Sequence, residues 1–111
     1  MTKKFVTKST GKQKVFSTGM HRDISEEKPR YDLLPLFMLK RWAELMDRGA
    51  RKYNERNWEK AETEEELARF KESAFRHFIQ WFSGEEDEDH GAAVMFNISG
   101  AEMVKNKLQN K

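Results

Sequence analysis

The stretch between Thr63 and Gly84 admits little other than a helix. Thr63-Glu64-Glu65-Glu66 is a capping box, in which the Thr63 hydroxyl caps the first turn and Glu66 answers three residues later. Three acids in that turn suit the positive end of a helix. Leu67, Phe70, Ala74, Phe75, Phe78, Ile79 and Phe82 then recur at helical spacing, and Gly84 supplies the stop. The far end of this helix is unusual. It carries Arg76 and His77 and opens into Glu85-Glu86-Asp87-Glu88-Asp89, closed by His90. Groups able to bind phosphate and groups able to bind a hard cation thus lie within about five helical turns of one another.

The remaining composition bounds the fold. At 111 residues the chain makes one domain with one modest core. Charged residues are 36% and the mean hydropathy is -0.95, yet eight Phe and three Trp argue for a packed interior rather than disorder. With no Cys there is neither a disulfide framework nor a thiolate zinc site. No apolar run has the length of a signal peptide or a membrane span, so the expected location is cytoplasmic, with no membrane partner. The net charge of +2 hides a basic start: Lys3, Lys4, Lys8, Lys12, Lys14 and Arg22 fall in residues 1–22 with no acid among them. That footprint fits either a solubilising tail or an arm for a polyanion such as nucleic acid.

Taken in order, Phe5-Val6-Thr7 and Lys14-Val15-Phe16 flank a turn at Ser9-Thr10-Gly11, which reads as a flexible arm or hairpin over residues 1–18. Residues 19–34 read as irregular. Within them Lys28-Pro29-Arg30-Tyr31-Asp32 offers two cations on a stiff backbone. Residues 35–53 form the first expected helix, with Pro35 in its opening turn and Leu36, Leu39, Trp42, Met46 and Ala50 in its stripe. Asn54 or Asn57 provides a left-handed turn after it. Tyr53 and Trp58 could sandwich a base, with Asn57 reading its edge, or Trp58 could staple the loop to the core. A third helix is expected over residues 89–108, weakened on its own by Gly91 and Gly100.

Set side by side, Phe16-Ser17-Thr18-Gly19, Arg22-Asp23, Lys28-Pro29-Arg30-Tyr31-Asp32-Leu33-Leu34-Pro35, Gly49-Ala50-Arg51-Lys52-Tyr53, Asn57-Trp58, Arg76-His77, Gly84-Glu85 and Asn97 form an ordered set. The set resembles the phage-borne N-terminal domain of dATP/dGTP diphosphohydrolases. The resemblance implies an all-α enzyme, a small bundle of about three helices with a basic, partly extended arm, occupying residues 19–111 as one helical domain. It implies an activity similar to that of MazG-like pyrophosphohydrolases: cleavage of a purine deoxynucleoside triphosphate to monophosphate and pyrophosphate, in phage nucleotide metabolism, with Mg²⁺ or Mn²⁺ held by carboxylates. The host cytoplasm is then the setting.

On that reading Glu85, Glu86 and Asp89 hold the metal, joined by Asp87 or His90. Lys28, Arg30, Lys52, Arg76 and His77 meet the phosphates, while Tyr53, Asn57 and Trp58 meet the base. Glu86-x-x-Asp89 has the E-x-x-D spacing of MazG-like enzymes, whereas Glu64-Glu65-Glu66 has no acid in register for their E-E-x-x-E. The family's His-x-x-His is met by His90 but by Ala93 at its second position. These departures keep two alternatives open: a nucleotide- or protein-binding module of the same fold without catalysis, and a nucleic-acid-binding protein using the arm. Phe70, Phe75, Phe78, Trp81 and Phe82 are too many aromatics for one small subunit to bury, so a homo-oligomer is expected to complete the bundle.

Overall fold

Thr63 caps the second of three helices as its sequence requires. Its hydroxyl accepts from the Glu66 N–H at 3.1 Å, and the Glu66 carboxylate accepts from the backbone of Thr63 and Glu62. The computed structural model describes Val6 and residues 11–23 and 28–110. Its helices are α1 (Leu36–Tyr53), α2 (Glu64–Phe82) and α3 (His90–Gln109), so each expected helix is present within a residue or two of its reading. No helix among the described residues is long and apolar enough to cross a membrane.

The chain divides into two units, Thr2–Leu34 and Pro35–Lys111. In the first, β1 (Gln13–Val15) pairs antiparallel with β2 (His21–Asp23), Lys14 opposite Arg22. The Lys14-Val15 strand is therefore present, but its partner is downstream, within the segment read as irregular. The reason lies in the turn. Gly19 takes φ +89°, donates to the Phe16 carbonyl, and lets Phe16 N–H reach Met20. Phe5 and Thr7 of the expected first strand lie outside the described residues. Tyr31–Leu33 is one turn of 3₁₀-helix.

In the helical unit α3 is the centre, packing against both α2 and α1. Its buried residues run along most of its length, from His90 to Val104. Small residues bring α2 close. A methyl group on Gly100 would stand 2.7 Å from two atoms of the Phe70 ring. The core is Ala61, Leu67, Ala101 and Val104, with Phe70, Met103 and Leu108 packed against it.

After α1 the chain reverses through Asn54 (φ 125°) and Arg56 (φ 58°). Asn54 was one of the two residues expected to turn here. The left-handed residue itself is Arg56, while Asn57 opens a 3₁₀ turn, Asn57–Lys60. The Lys107 ammonium on α3 donates to the carbonyls of Glu59 and Ala61, the latter at 2.9 Å, and so ties this turn to the bundle. Trp58 is held within it.

Candidate active site

The α2–α3 connection makes the site, and its shape stems from how α2 ends. Ser83 is the cap, Gly84 takes φ +81°, its N–H donates to Trp81, and the Glu85 N–H reaches back to Gln80 at 3.0 Å. These paired bonds are a Schellman closure, which needs a residue free of the Cβ penalty at Gly84. The chain then doubles back. Asp89 caps α3, accepting from the Ala92 N–H at 3.1 Å.

Both oxygens of Asp89 are also taken by Arg41 of α1, at 2.9 and 2.6 Å. This forked pair holds the Asp89 carboxyl at about 2, well below its ordinary value. His90, only 2% exposed, lies between two partners. Its Nε2 is 2.7 Å from Asp87 Oδ1, and its Nδ1 is 2.9 Å from His77 Nδ1 on α2. With both rings neutral the proton order is fixed by the carboxylate, which can only accept. His90 Nε2–H donates to Asp87. Its bare Nδ1 then accepts from His77 Nδ1–H, which leaves a lone pair on His77 Nε2. The hydrogen bond from His90 lowers the Asp87 pKa, and burial followed by the nearby Arg76 charge lowers that of His77.

Donor atoms of Glu85, Asp87 and His90 lie within 4.8 Å of one another. Two carboxylate oxygens with one imidazole suit an oxygen-preferring divalent cation that tolerates nitrogen. Among the other acids read as metal ligands, Asp89 is occupied by Arg41, while Glu86 lines a cavity of about 580 Å³ together with His77, Asp87, Glu88 and Asn97.

A larger groove of about 1120 Å³ adjoins that cavity, and Leu45, Arg48, Glu88, Phe96 and Asn97 line both. Lys52, Tyr53, Asn57 and Trp58 line the groove. Phe96 of α3 is its aromatic floor, meeting Trp58 edge-on at 5.8 Å and Phe70 at 6.0 Å. Lys52 Nζ lies 5.0 Å over the Tyr53 ring. Asn97 is buried, and its amide donates to the Ala93 carbonyl at 2.8 Å.

Of the residues read for phosphate and base, Lys52, Tyr53, Asn57 and Trp58 line the larger cavity and His77 the adjoining smaller one. Arg76 is exposed and lines neither. Arg30 and Lys28 belong to the other unit, where Arg30 forks onto Asp32 at 2.7 and 2.9 Å. Arg48 and Phe96 were missed as site residues. Arg48 stands four residues before Lys52, on the same face of α1, which is the one signal that pointed to it.

The fold and site define a small three-helix domain with an acidic, histidine-bearing pocket beside a groove lined by aromatic rings and by charges of both signs. A family described as dATP/dGTP diphosphohydrolase, N-terminal, matches residues 18–110, and the chain belongs to it. No curated protein and no solved structure matches the chain.

Proposed function

We propose that this chain hydrolyses purine deoxynucleoside triphosphates, dATP or dGTP, at the bond between the α- and β-phosphates, in phage nucleotide metabolism. The observation that carries the reading is the adjacency of two cavities, one lined by His77 and by Asp87 of the candidate cation triad, the other by Arg48, Lys52, Tyr53 and Trp58. Such groups suit the phosphates and the base of a nucleotide.

Trp58 and Phe96 offer the base a stacking surface. Arg48 and Lys52 are placed for the phosphates, Arg as a planar fork and Lys as a point charge. Glu85, Asp87 and His90 would hold Mn²⁺ or Mg²⁺, the imidazole favouring Mn²⁺. A cation held there supplies neutralisation of phosphate charge and a more acidic water. With His90 Nε2 given to a cation, its Nδ1–H would donate to His77 Nδ1, and His77 Nε2–H would be left as a donor for a phosphate oxygen.

The test is incubation with each dNTP, with and without Mn²⁺ or Mg²⁺, and separation of the products. The expected products are dAMP or dGMP and pyrophosphate, formed only with metal. Tight dNTP binding without products would transfer the assignment to a non-catalytic module. Salt-sensitive DNA binding lost on deleting residues 1–14 would transfer it to the basic arm.

A further inference from the structure

His90 and Asn97 are the buried polar side chains among the described residues, and α3 uses them differently. His90 has a partner at each ring nitrogen. Asn97, 8% exposed, is only half engaged. Its side-chain amide donates to the Ala93 carbonyl, one turn earlier on α3, at 2.8 Å. A carbonyl can only accept, so the group facing it is the NH₂, and the orientation of the amide is fixed by chemistry. Oδ1 is therefore turned away from the Ala93 carbonyl. Among the described residues no group donates to it. The fully enclosed side-chain atom without a partner is Gln80 Oε1, so Asn97 Oδ1 opens onto cavity space instead of packed interior. An acceptor so placed is one that a bound donor would satisfy.

Its position narrows the donor. Asn97 lines both cavities, as do Leu45 and Phe96, and so stands at their boundary. The next step rests on the reading of these cavities as a deoxynucleotide site. With the base beside Trp58 and the phosphates toward His77 and Asp87, the sugar falls at that boundary. A 2′-deoxyribose carries a single hydrogen-bond donor, its 3′-hydroxyl, and is otherwise carbon and ether oxygen. Leu45 and Phe96 suit the carbon, and Oδ1 suits the hydroxyl. We propose that Asn97 Oδ1 accepts the hydrogen bond of the 3′-hydroxyl of a bound deoxynucleotide, which makes Asn97 the residue that reads the sugar. The Ala93 bond holds the amide plane, so the acceptor is in place before the nucleotide arrives.

The test is calorimetric titration with Mn²⁺ present, using the α,β-methylene analogues of dATP and dGTP, which resist cleavage at that bond, beside their 2′,3′-dideoxy forms. The wild-type chain should bind the dideoxy forms about tenfold or more weakly, because they leave a buried acceptor unpaired. Asn97→Leu, similar in volume and without the acceptor, should bind deoxy and dideoxy forms alike. Asn97→Ala, which adds no bulk, is titrated in parallel, and the helical circular dichroism spectrum reports folding. A variant that is merely less stable weakens both ligands together and keeps the wild-type preference. Equal binding of the two forms by the wild type overturns the proposal and leaves the hydrolysis reading standing. A preference that survives in folded Asn97→Leu or Asn97→Ala overturns it equally. So does a loss of affinity for the deoxyinosine analogue, which lacks the guanine 2-amino group, if that loss vanishes in the Asn97 variants, since the oxygen then reads the base. A 3′-hydroxyl preference that depends on Asn97 in a chain without hydrolysis upholds the proposal and removes only the catalytic reading. No binding of any analogue overturns both.

Discussion

Arg41 and Asp89, forty-eight residues apart, are joined by two parallel hydrogen bonds, Nε to Oδ2 at 2.9 Å and Nη2 to Oδ1 at 2.6 Å. This pair fastens α1 to the start of α3 and fixes where the acidic loop ends. Asp89 has a second task as the cap of α3, so two substitutions separate the roles. Asp89→Asn keeps a good cap and loses the ion pair, whereas Asp89→Ala loses both. The expected costs are about 1–2 kcal/mol for Asn, allowing for screening of the half-exposed Arg41, and about 1 kcal/mol more for Ala. Both are read from urea unfolding at neutral pH.

The same pair gives an acid limb. The folded Asp89 carboxyl sits at about 2 instead of its ordinary 3.8. As pH falls, the unfolded chain takes up this proton first, so acid favours unfolding. The contribution is whole above the unfolded value, declines through the interval between the two, and is gone below about pH 2. In chelator-treated protein, Asp89→Asn should flatten the stability curve over that interval. An unchanged slope would show that other carboxylates set the acid limit.

Gly100 and Phe70 pack without room for a methyl group. Gly100→Ala should improve helix propensity, yet the ring must move, and the expected net effect is a loss of about 1–3 kcal/mol. Phe70→Leu in the same chain should recover part of it, so the two effects should not add. Additive losses in thermal unfolding would place the strain elsewhere.

Those two contacts mark what can be read from a sequence and what cannot. Helix existence and bounds were legible because their determinants are local: the Thr63–Glu66 box, the stripe of α1, and Gly84 at a positive φ. The acids and His90 were legible as a group because they are consecutive. Their division of labour was not. Asp89 looks like its neighbours until Arg41 arrives from α1, and nothing in the spacing tells that Glu85 and Asp87, rather than Glu86, converge on His90. The His77–His90 contact depends on the turn at Gly84, so His77 could not be placed beforehand. The Gly19 turn was not read, so β2 fell in a segment taken as irregular, while Phe5, Thr7, Ser9 and Thr10 of the expected hairpin lie outside the described residues. The apolar residues of α2 were recognised as one face, whereas the fold separates them into an inner and an outer stripe.

The position of Trp58 is compatible with both readings made of it. It is half-buried and edge-on to Phe96, and it also lines the groove. Trp58→Ala should weaken dATP or dGTP binding by about 1–3 kcal/mol, the usual loss for one stacking aromatic. Calorimetric titration on folded protein measures this. Trp58→Phe should retain most of both packing and binding. A Trp58→Ala variant that unfolds readily, while its folded fraction binds normally, would reduce Trp58 to a staple.

The candidate triad Glu85, Asp87 and His90 makes the sharpest prediction, because protons compete with a cation for its carboxylates. The hydrogen that His90 Nε2 gives to Asp87 Oδ1 at 2.7 Å must leave Nε2 before a cation can take both groups. Mn²⁺ should therefore raise the melting temperature, and the rise should shrink as the pH is lowered. At about a hundred times its Kd a native-state ligand contributes about 2.7 kcal/mol. For a domain of this size that is about 10 °C or more. Glu85→Gln with Asp87→Asn should remove both the rise and any dNTP hydrolysis while keeping the helical spectrum, since both side chains are exposed. Asp89→Asn, whose carboxylate belongs to Arg41, should leave the Mn²⁺ rise in place. Loss of the rise in Asp89→Asn, and its survival in the Glu85/Asp87 double variant, would move the cation to Glu86 and Asp89. No rise in the wild type, even with dGTP present, would leave the groove as a nucleotide-binding surface without a metal.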